Sequence, residues 1–205
     1  MYFDTLAPNA KGLFDKLSLI GLPTNFYLSG GTALALHLGH RESEDLDFFS
    51  KEEFDPQKVQ AQLDRTLSLS NIVLDSGTLN CYADGVKLQF LHYPYDLLET
   101  PQAFNNINLS SVPDIACTKL LTISSRGSKK DFIDLYFILA SYSLNELFEL
   151  LKKKYPSQSY NELHILKSMA YFDDADDQPA PKMHKEISWS EVKKFITNSV
   201  KDFQI

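Results

Sequence analysis

Two acids one residue apart, Asp45 and Asp47 in the segment DLDFF, follow a Gly30-Gly31-Thr32 turn in a chain of 205 residues. On an extended strand, side chains at i and i+2 leave the same face, so the two carboxylates form a compact, doubly negative site. Such a site suits a hard divalent cation, Mg²⁺ or Mn²⁺, which keeps much of its water and takes one or two carboxylates together with substrate phosphates. A glycine turn that opens a helix presents backbone N–H groups to those phosphates, and Thr32 adds a hydroxyl. These residues point to a nucleoside triphosphate held through a metal, with phosphoryl chemistry to follow. The plain alternative is a solvated strand edge beside Glu42 and Glu44.

The surrounding elements must put the turn and the acids in one place. Leu13, Phe14, Leu17 and Ile20 form a helical stripe over residues 8–20, closed by Gly21. A short strand at 25–28, a helix from Thr32 to Leu38 and a strand at 45–50 then carry the turn and the acidic pair. The Asp55-Pro56 start and the Val59, Leu63 and Leu67 spacing predict a helix over 55–67. Strands are predicted at 69–75, 78–83 and 86–92, the last two joined by Asp84-Gly85, a strong hairpin signal. After Pro113 the pattern turns helical, over 114–125, 129–142, 143–154, 160–172 and 188–203. The sequence thus predicts an α+β chain in two parts, residues 1–112 and 113–205, with residues 100–113 as the join. Residues 173–181, acidic and Pro-containing, read as a solvated loop.

Within the helical part, apolar positions 115, 120, 123, 132, 135, 136 and 139 pack two helices together. Lys119, Arg126, Lys129 and Lys130 are cations able to reach triphosphate oxygens. Asp131 and Asp134 lie three apart on one helix face, placed to orient Lys130 or Arg126 or to act as a base on an incoming hydroxyl. An N-cap with surface ion pairs is the blander account of the same residues. His37 reads as a helix-face residue and His40 as a loop residue. Twenty basic against 27 acidic residues leave a net charge of −7, which argues against tight nonspecific duplex binding but not against a local basic patch. Cys81 and Cys117 have no metal-ligand spacing and are expected as reduced, buried thiols. No signal-like N-terminus and no long apolar run occur, so a cytoplasmic protein without membrane contact is expected.

The segment LSGGTALALHLGHRESEDLDFF (28–49) resembles the first motif of the DNA polymerase β-type nucleotidyltransferases, and more narrowly that of the AbiEii/AbiGii toxin family. Arg41, Ser43 and the acidic pair stand in that family's order. The segment PDIACTKLLTISSRGSKKDFIDLYFIL (113–139) resembles the family's helical motif, with Lys119, Arg126, Lys130, Asp131 and Asp134 in corresponding places. The resemblance implies a polymerase β-like mixed sheet followed by a helical lobe, and transfer of an NMP from an NTP to an acceptor hydroxyl. It further implies an RNA or tRNA 3′ end as acceptor and a cognate antitoxin protein. The roles it implies are catalysis for Asp45, Asp47, Lys119, Lys130 and Asp131, with the first two holding the metal. Gly30, Gly31, Thr32, Arg41, Ser43, Arg126 and Asp134 would bind the nucleotide. One departure stands out. The slot for a third carboxylate, on the strand GVKLQFLHY, falls on Gln89, so a third acid must come from Asp75, Asp84, Asp131 or Asp134, or the site works with fewer. The rival readings are a degenerate nucleotide-binding module and a nucleotidyltransferase that modifies proteins.

Overall fold

The computed structural model describes residues 1–23, 25–157 and 159–203; the expected end of the helical part at 205 lies outside them. Strands β1 (Phe26–Leu28), β2 (Leu46–Ser50), β3 (Leu69–Asp75), β4 (Thr78–Ala83), β5 (Val86–His92), β6 (Gln102–Phe104) and β7 (Ile107–Leu109) form one mixed sheet in the order β3-β4-β5-β2-β1-β7-β6. The helices are α1 (Pro8–Ile20), α2 (Gly30–Leu38), α3 (Pro56–Leu63), α4 (Val112–Ser125), α5 (Lys129–Leu139), α6 (Leu144–Lys154), α7 (Glu162–Met169), α8 (Asp173–Asp176) and α9 (Trp189–Lys201). The α+β class and the order of mixed sheet, then helices, are as expected.

Local chemistry sets the limits of these elements. Helix α1 starts with Pro8 in its first turn and buries Ala10, Leu13, Phe14 and Leu17. Helix α2 stops at Gly39, whose φ of 64° is left-handed. Ser128, Ser143 and Ser188 each close a capping box, with Asp131, Glu146 and Glu191 respectively. The β4–β5 turn places Asp84 and Gly85 at φ 50° and 81°, as a two-residue hairpin requires.

Pairing fixes which face of the sheet carries chemistry. Strand β2 runs antiparallel to β1 and parallel to β5, with Phe48 opposite Phe90 and Asp47 opposite Gln89. Alternation then sends Leu46, Phe48, Leu88 and Phe90 into the core, where the Phe48 and Phe90 rings stack at 5.2 Å. Asp45, Asp47, Lys87 and Gln89 emerge on the opposite face.

One stretch corrects the sequence reading. Residues 100–113 are not a bare join, because β6 and β7 form a hairpin there and β7 adds to β1 in parallel. Its turn is Asn105-Asn106, at φ 45° and 60°, and asparagine is the side chain other than glycine that tolerates this region best. The sheet therefore reaches to within three residues of α4.

Two of the helices, α4 and α6, are tied to each other and to the β5–β6 loop by a buried ion pair. Lys154 of α6 and Asp114 of α4 meet at 2.6 Å with both side chains almost wholly enclosed. The lysine also donates to the Asp96 carbonyl at 3.0 Å, and the carboxylate accepts from Leu98 N–H at 2.9 Å and Ser111 Oγ at 2.7 Å. Removing one partner strands the other charge in the interior. Lys154→Met is therefore expected to cost about 3–5 kcal/mol by urea denaturation. A double Lys154→Met, Asp114→Leu variant should regain much of that loss, and a single variant of near wild-type stability would refute the assignment.

Candidate active site

Between the carboxylate face of the sheet and the start of α5 lies a cleft of about 510 Å³. Gly31, Thr32, Arg41, Ser43, Asp45, Asp47, Lys119, Arg126, Lys130 and Asp131 all border it, so both sequence blocks converge on one place. Asp47 is raised above the usual carboxylate range, first by burial and then by the neighbouring Asp45 charge, while Lys87, Lys119 and Arg126 pull it down. Two acids that disfavour each other's charge are what a divalent cation relieves, so the pair fits one such ion.

The glycine pair is demanded by two separate close approaches. Gly30 sits at φ 65°, and a Cβ there would lie 3.0 Å from Asp47 Oδ2. A Cβ on Gly31 would lie 2.5 Å from Arg41 Nη2. The helix start is thereby pressed against both the acid pair and the guanidinium. Thr32 borders the cleft, but its hydroxyl is buried and bonded to Ser43 Oγ at 2.8 Å and to the Asp45 carbonyl, which ties the acidic segment to the helix start.

Behind the cleft, Asp134 is fully buried and is the common partner of three side chains. Oδ1 accepts from Arg41 Nε at 2.7 Å and pairs with His40 Nε2 at 2.7 Å. Oδ2 receives Arg41 Nη2 at 2.8 Å and Lys119 Nζ at 2.7 Å. Burial would raise the Asp134 pKa, but Lys119 and Arg41 outweigh it and hold the carboxyl well below its ordinary value. Burial likewise opposes the Arg41 and Lys119 charges, and Asp134 reverses that, so both keep their protons more firmly than usual. Burial lowers the His40 pKa, and a neutral ring can donate Nε2–H to Asp134, while its Nδ1 is buried with no hydrogen-bond partner among the described residues.

Burial and partners sort the expected site residues. Asp134, expected at the nucleotide, is fully buried and does not border the cleft; it pairs with Arg41 and Lys119, which do. His40 is a loop residue, as expected, but a buried one that joins this cluster. Asp131 spends Oδ1 on Lys119 at 2.7 Å and Oδ2 on Ser128, N–H at 3.2 Å and Oγ at 2.6 Å, which suits a positioning residue better than a base. Lys129 turns away, its ammonium bonded to the carbonyls of Asp176 and Gln178. Lys130 and Arg126 remain exposed at the cleft, without a carboxylate partner among the described residues.

Sequence reasoning missed three contributors. Lys87, on the carboxylate face of β5, borders the cleft, and its alternation with Gln89 was the available signal. Asp174 and Gln178 border it from the far side, in the stretch expected as a solvated loop. Its first four residues form the short helix α8 while the rest is loop, and it is latched onto α5 and α9, with Lys129 N–H donating to Gln178 Oε1 at 3.0 Å and Trp189 Nε1 to Asp176 Oδ1 at 2.6 Å.

The comparisons with known proteins agree with this geometry. A family model described as nucleotidyl transferase AbiEii toxin, type IV TA system, matches residues 11–74 and 68–204. The chain belongs to this family of nucleotidyltransferase toxins. An uncharacterized protein of Aquifex aeolicus (strain VF5) is 38% identical over 206 residues, covering 97% of each chain. Among solved structures, MenT4, a nucleotidyltransferase toxin from Mycobacterium tuberculosis H37Rv, superposes with a TM-score of 0.57 at 13% identity over 97% of this chain and 87% of that one. JHP933 from Helicobacter pylori gives 0.53 at 17% identity over 91% and 85%. At these identities the two structures bear on the fold. No helix among the described residues is long and apolar enough to cross a membrane.

The Asp134 cluster makes stability depend on pH in a definite direction. A carboxyl depressed in the folded state gives stability that is full above its ordinary value of 3.8 and is lost as pH falls through the folded value. Asp134→Asn is expected to lower stability at neutral pH by about 3–5 kcal/mol, since it leaves Arg41 and Lys119 under-compensated. Its stability should also fall less steeply than wild type as the medium is acidified below 3.8. Denaturation midpoints across pH check both; identical acid slopes would exclude the role.

Proposed function

We propose that the chain transfers an NMP from an NTP to an acceptor hydroxyl, with an RNA or tRNA 3′ end as acceptor, as the toxin of a toxin–antitoxin pair. The supporting observation is that Asp45 and Asp47 border the same cleft as Gly31, the α2 start and the exposed cations Arg126 and Lys130. Asp45 and Asp47 would hold Mg²⁺ or Mn²⁺, which when bound neutralises phosphate charge and orients the triphosphate. Gly31 and the α2 N-terminus bind phosphate through backbone N–H groups. The acceptor oxygen bonds to the α-phosphorus, the bond from that phosphorus to its bridging oxygen breaks, and pyrophosphate leaves with the electron pair. The acceptor proton passes to water at the cleft mouth.

The cations divide by availability. Lys119 is shared between Asp131 and Asp134, so it serves as a fixed positive wall beside the reacting phosphate. Lys130 and Arg126 are free to follow the triphosphate as charge develops. In this reading residues 1–112 supply the acid pair, the glycines, Arg41 and Lys87, residues 113–205 supply Lys119, Arg126 and Lys130, and the protein works in the cytoplasm on the cellular NTP pool.

One observation favours a second reading, a nucleotide-binding module that transfers nothing. Gln89, an amide, stands directly opposite Asp47 on β5, where a third acid would strengthen metal binding. Incubation with labelled NTPs and Mg²⁺, with either total tRNA or cell lysate, separates the readings. Label on RNA with pyrophosphate release is expected, and Asp45→Ala or Asp47→Ala should each reduce both to background. Label on protein identifies a protein-modifying enzyme, and nucleotide binding without release identifies the module.

A further inference from the structure

Strand β5 offers the cleft a lysine and an amide where the neighbouring strand offers two acids. Parallel pairing sets Leu46 opposite Leu88 and Asp47 opposite Gln89. One residue before each of these strand positions stand Asp45, just ahead of β2, and Lys87, and both border the cleft. Two acids from the β2 segment thus lie beside an ammonium and an amide on β5. Lys87 borders the cleft and has no carboxylate partner among the described residues. As a lone surface lysine it would need no explanation. Its place beside the acid pair, within reach of Asp47's charge, gives it one.

The acids that could complete a second ion site are occupied elsewhere. Asp75 stands at the end of the edge strand β3, its Oδ1 accepting from Ser76 N–H at 2.7 Å, and Asp84 is bonded to Lys16 at 2.7 Å. Asp131 holds Lys119, and Asp134 is enclosed by its own three partners. Glu44 and Asp174 border the cleft, yet among the described residues no three His, Cys, Asp or Glu side chains gather to bind a metal. A second divalent ion on the β5 side would meet a neutral amide and an ammonium, and the ammonium repels it.

We infer that this site holds one divalent cation, on Asp45 and Asp47, and that Lys87 supplies the positive charge on the β5 side by contacting the bound triphosphate. The inference rests on the nucleotidyl-transfer reading and deepens it. Lys87 becomes a substrate-contacting residue, in the position where a two-metal enzyme would place its other ion. A lysine ammonium has three donors on a flexible stem, which suits phosphate oxygens.

The test counts ions and nucleotide by equilibrium dialysis on the full chain, using Mn²⁺ read by EPR and saturating non-hydrolysable analogues of the four NTPs. Wild type is expected to retain one Mn²⁺ per chain with its preferred analogue. Lys87→Met should keep that ratio while weakening the analogue by roughly tenfold or more, the scale of one lost hydrogen bond to a charged group. Lys87→Arg should restore most of the affinity, which a purely structural role would not predict. Two Mn²⁺ per wild-type chain, or unchanged analogue affinity in Lys87→Met, overturns the inference and leaves nucleotidyl transfer standing. Wild type that retains neither Mn²⁺ nor any analogue overturns both.

Discussion

Asp134, buried on α5, receives the guanidinium of Arg41 and the ammonium of Lys119, and through them joins the first sequence block to the second. Taking these charges out of water is costly, and each is held by the opposite charge beside it. Together with Asp131 they form two acids and two bases in mutual contact, so the cluster closes on itself with no net charge. The consequence reaches the cleft. Arg41 and Lys119 are fixed in place before any ligand arrives, and a preorganised positive wall needs no rearrangement when phosphate charge builds up. The cations not taken into this balance, Lys87, Arg126 and Lys130, are the ones left to respond to a substrate.

The same cluster explains why the sequence spends two glycines on one turn. Gly30 has a left-handed φ and lies against Asp47, so a side chain there is excluded by conformation and by space. Gly31 needs no unusual φ; a Cβ is excluded by Arg41 Nη2, which comes close because Asp134 pulls the guanidinium inward. The buried carboxylate, the guanidinium and the helix start are thus one packed unit. Thr32 extends it, its hydroxyl fastened to Ser43 and to the Asp45 carbonyl. The acidic strand is thereby set at a fixed distance from the turn.

Much of this was legible in the residues, and the rest has identifiable physical reasons for staying hidden. Period-two alternation in DLDFF and GVKLQFLHY, with the Asp84-Gly85 turn, gives strands β2, β4 and β5 and the shared face of the two acids. Capping residues and apolar stripes give α1 and the long helices. The β6–β7 hairpin was missed because its strands are three residues each, too short for a period, and its asparagine turn is a weaker signal than Asp-Gly. Asp134 was misplaced for a different cause. Its partners His40 and Arg41 lie more than 90 residues away, and no local pattern distinguishes a buried acid from one facing a ligand. The α8 stretch looked solvated because its acids are many, and most of it is exposed, yet Asp176 is held by Trp189 and Lys193 of α9, 13 and 17 residues further on.

The distribution of charge across the cleft also bears on what can enter it. A chain at −7 repels polyanions at long range, but the repulsion between exposed charges is screened within about 8–10 Å at ordinary ionic strength. Inside that distance an incoming phosphate meets Lys87 from β5 and Arg126 and Lys130 from the α4–α5 junction, on either side of the acid pair. Binding then depends on reaching the cleft rather than on coating the surface.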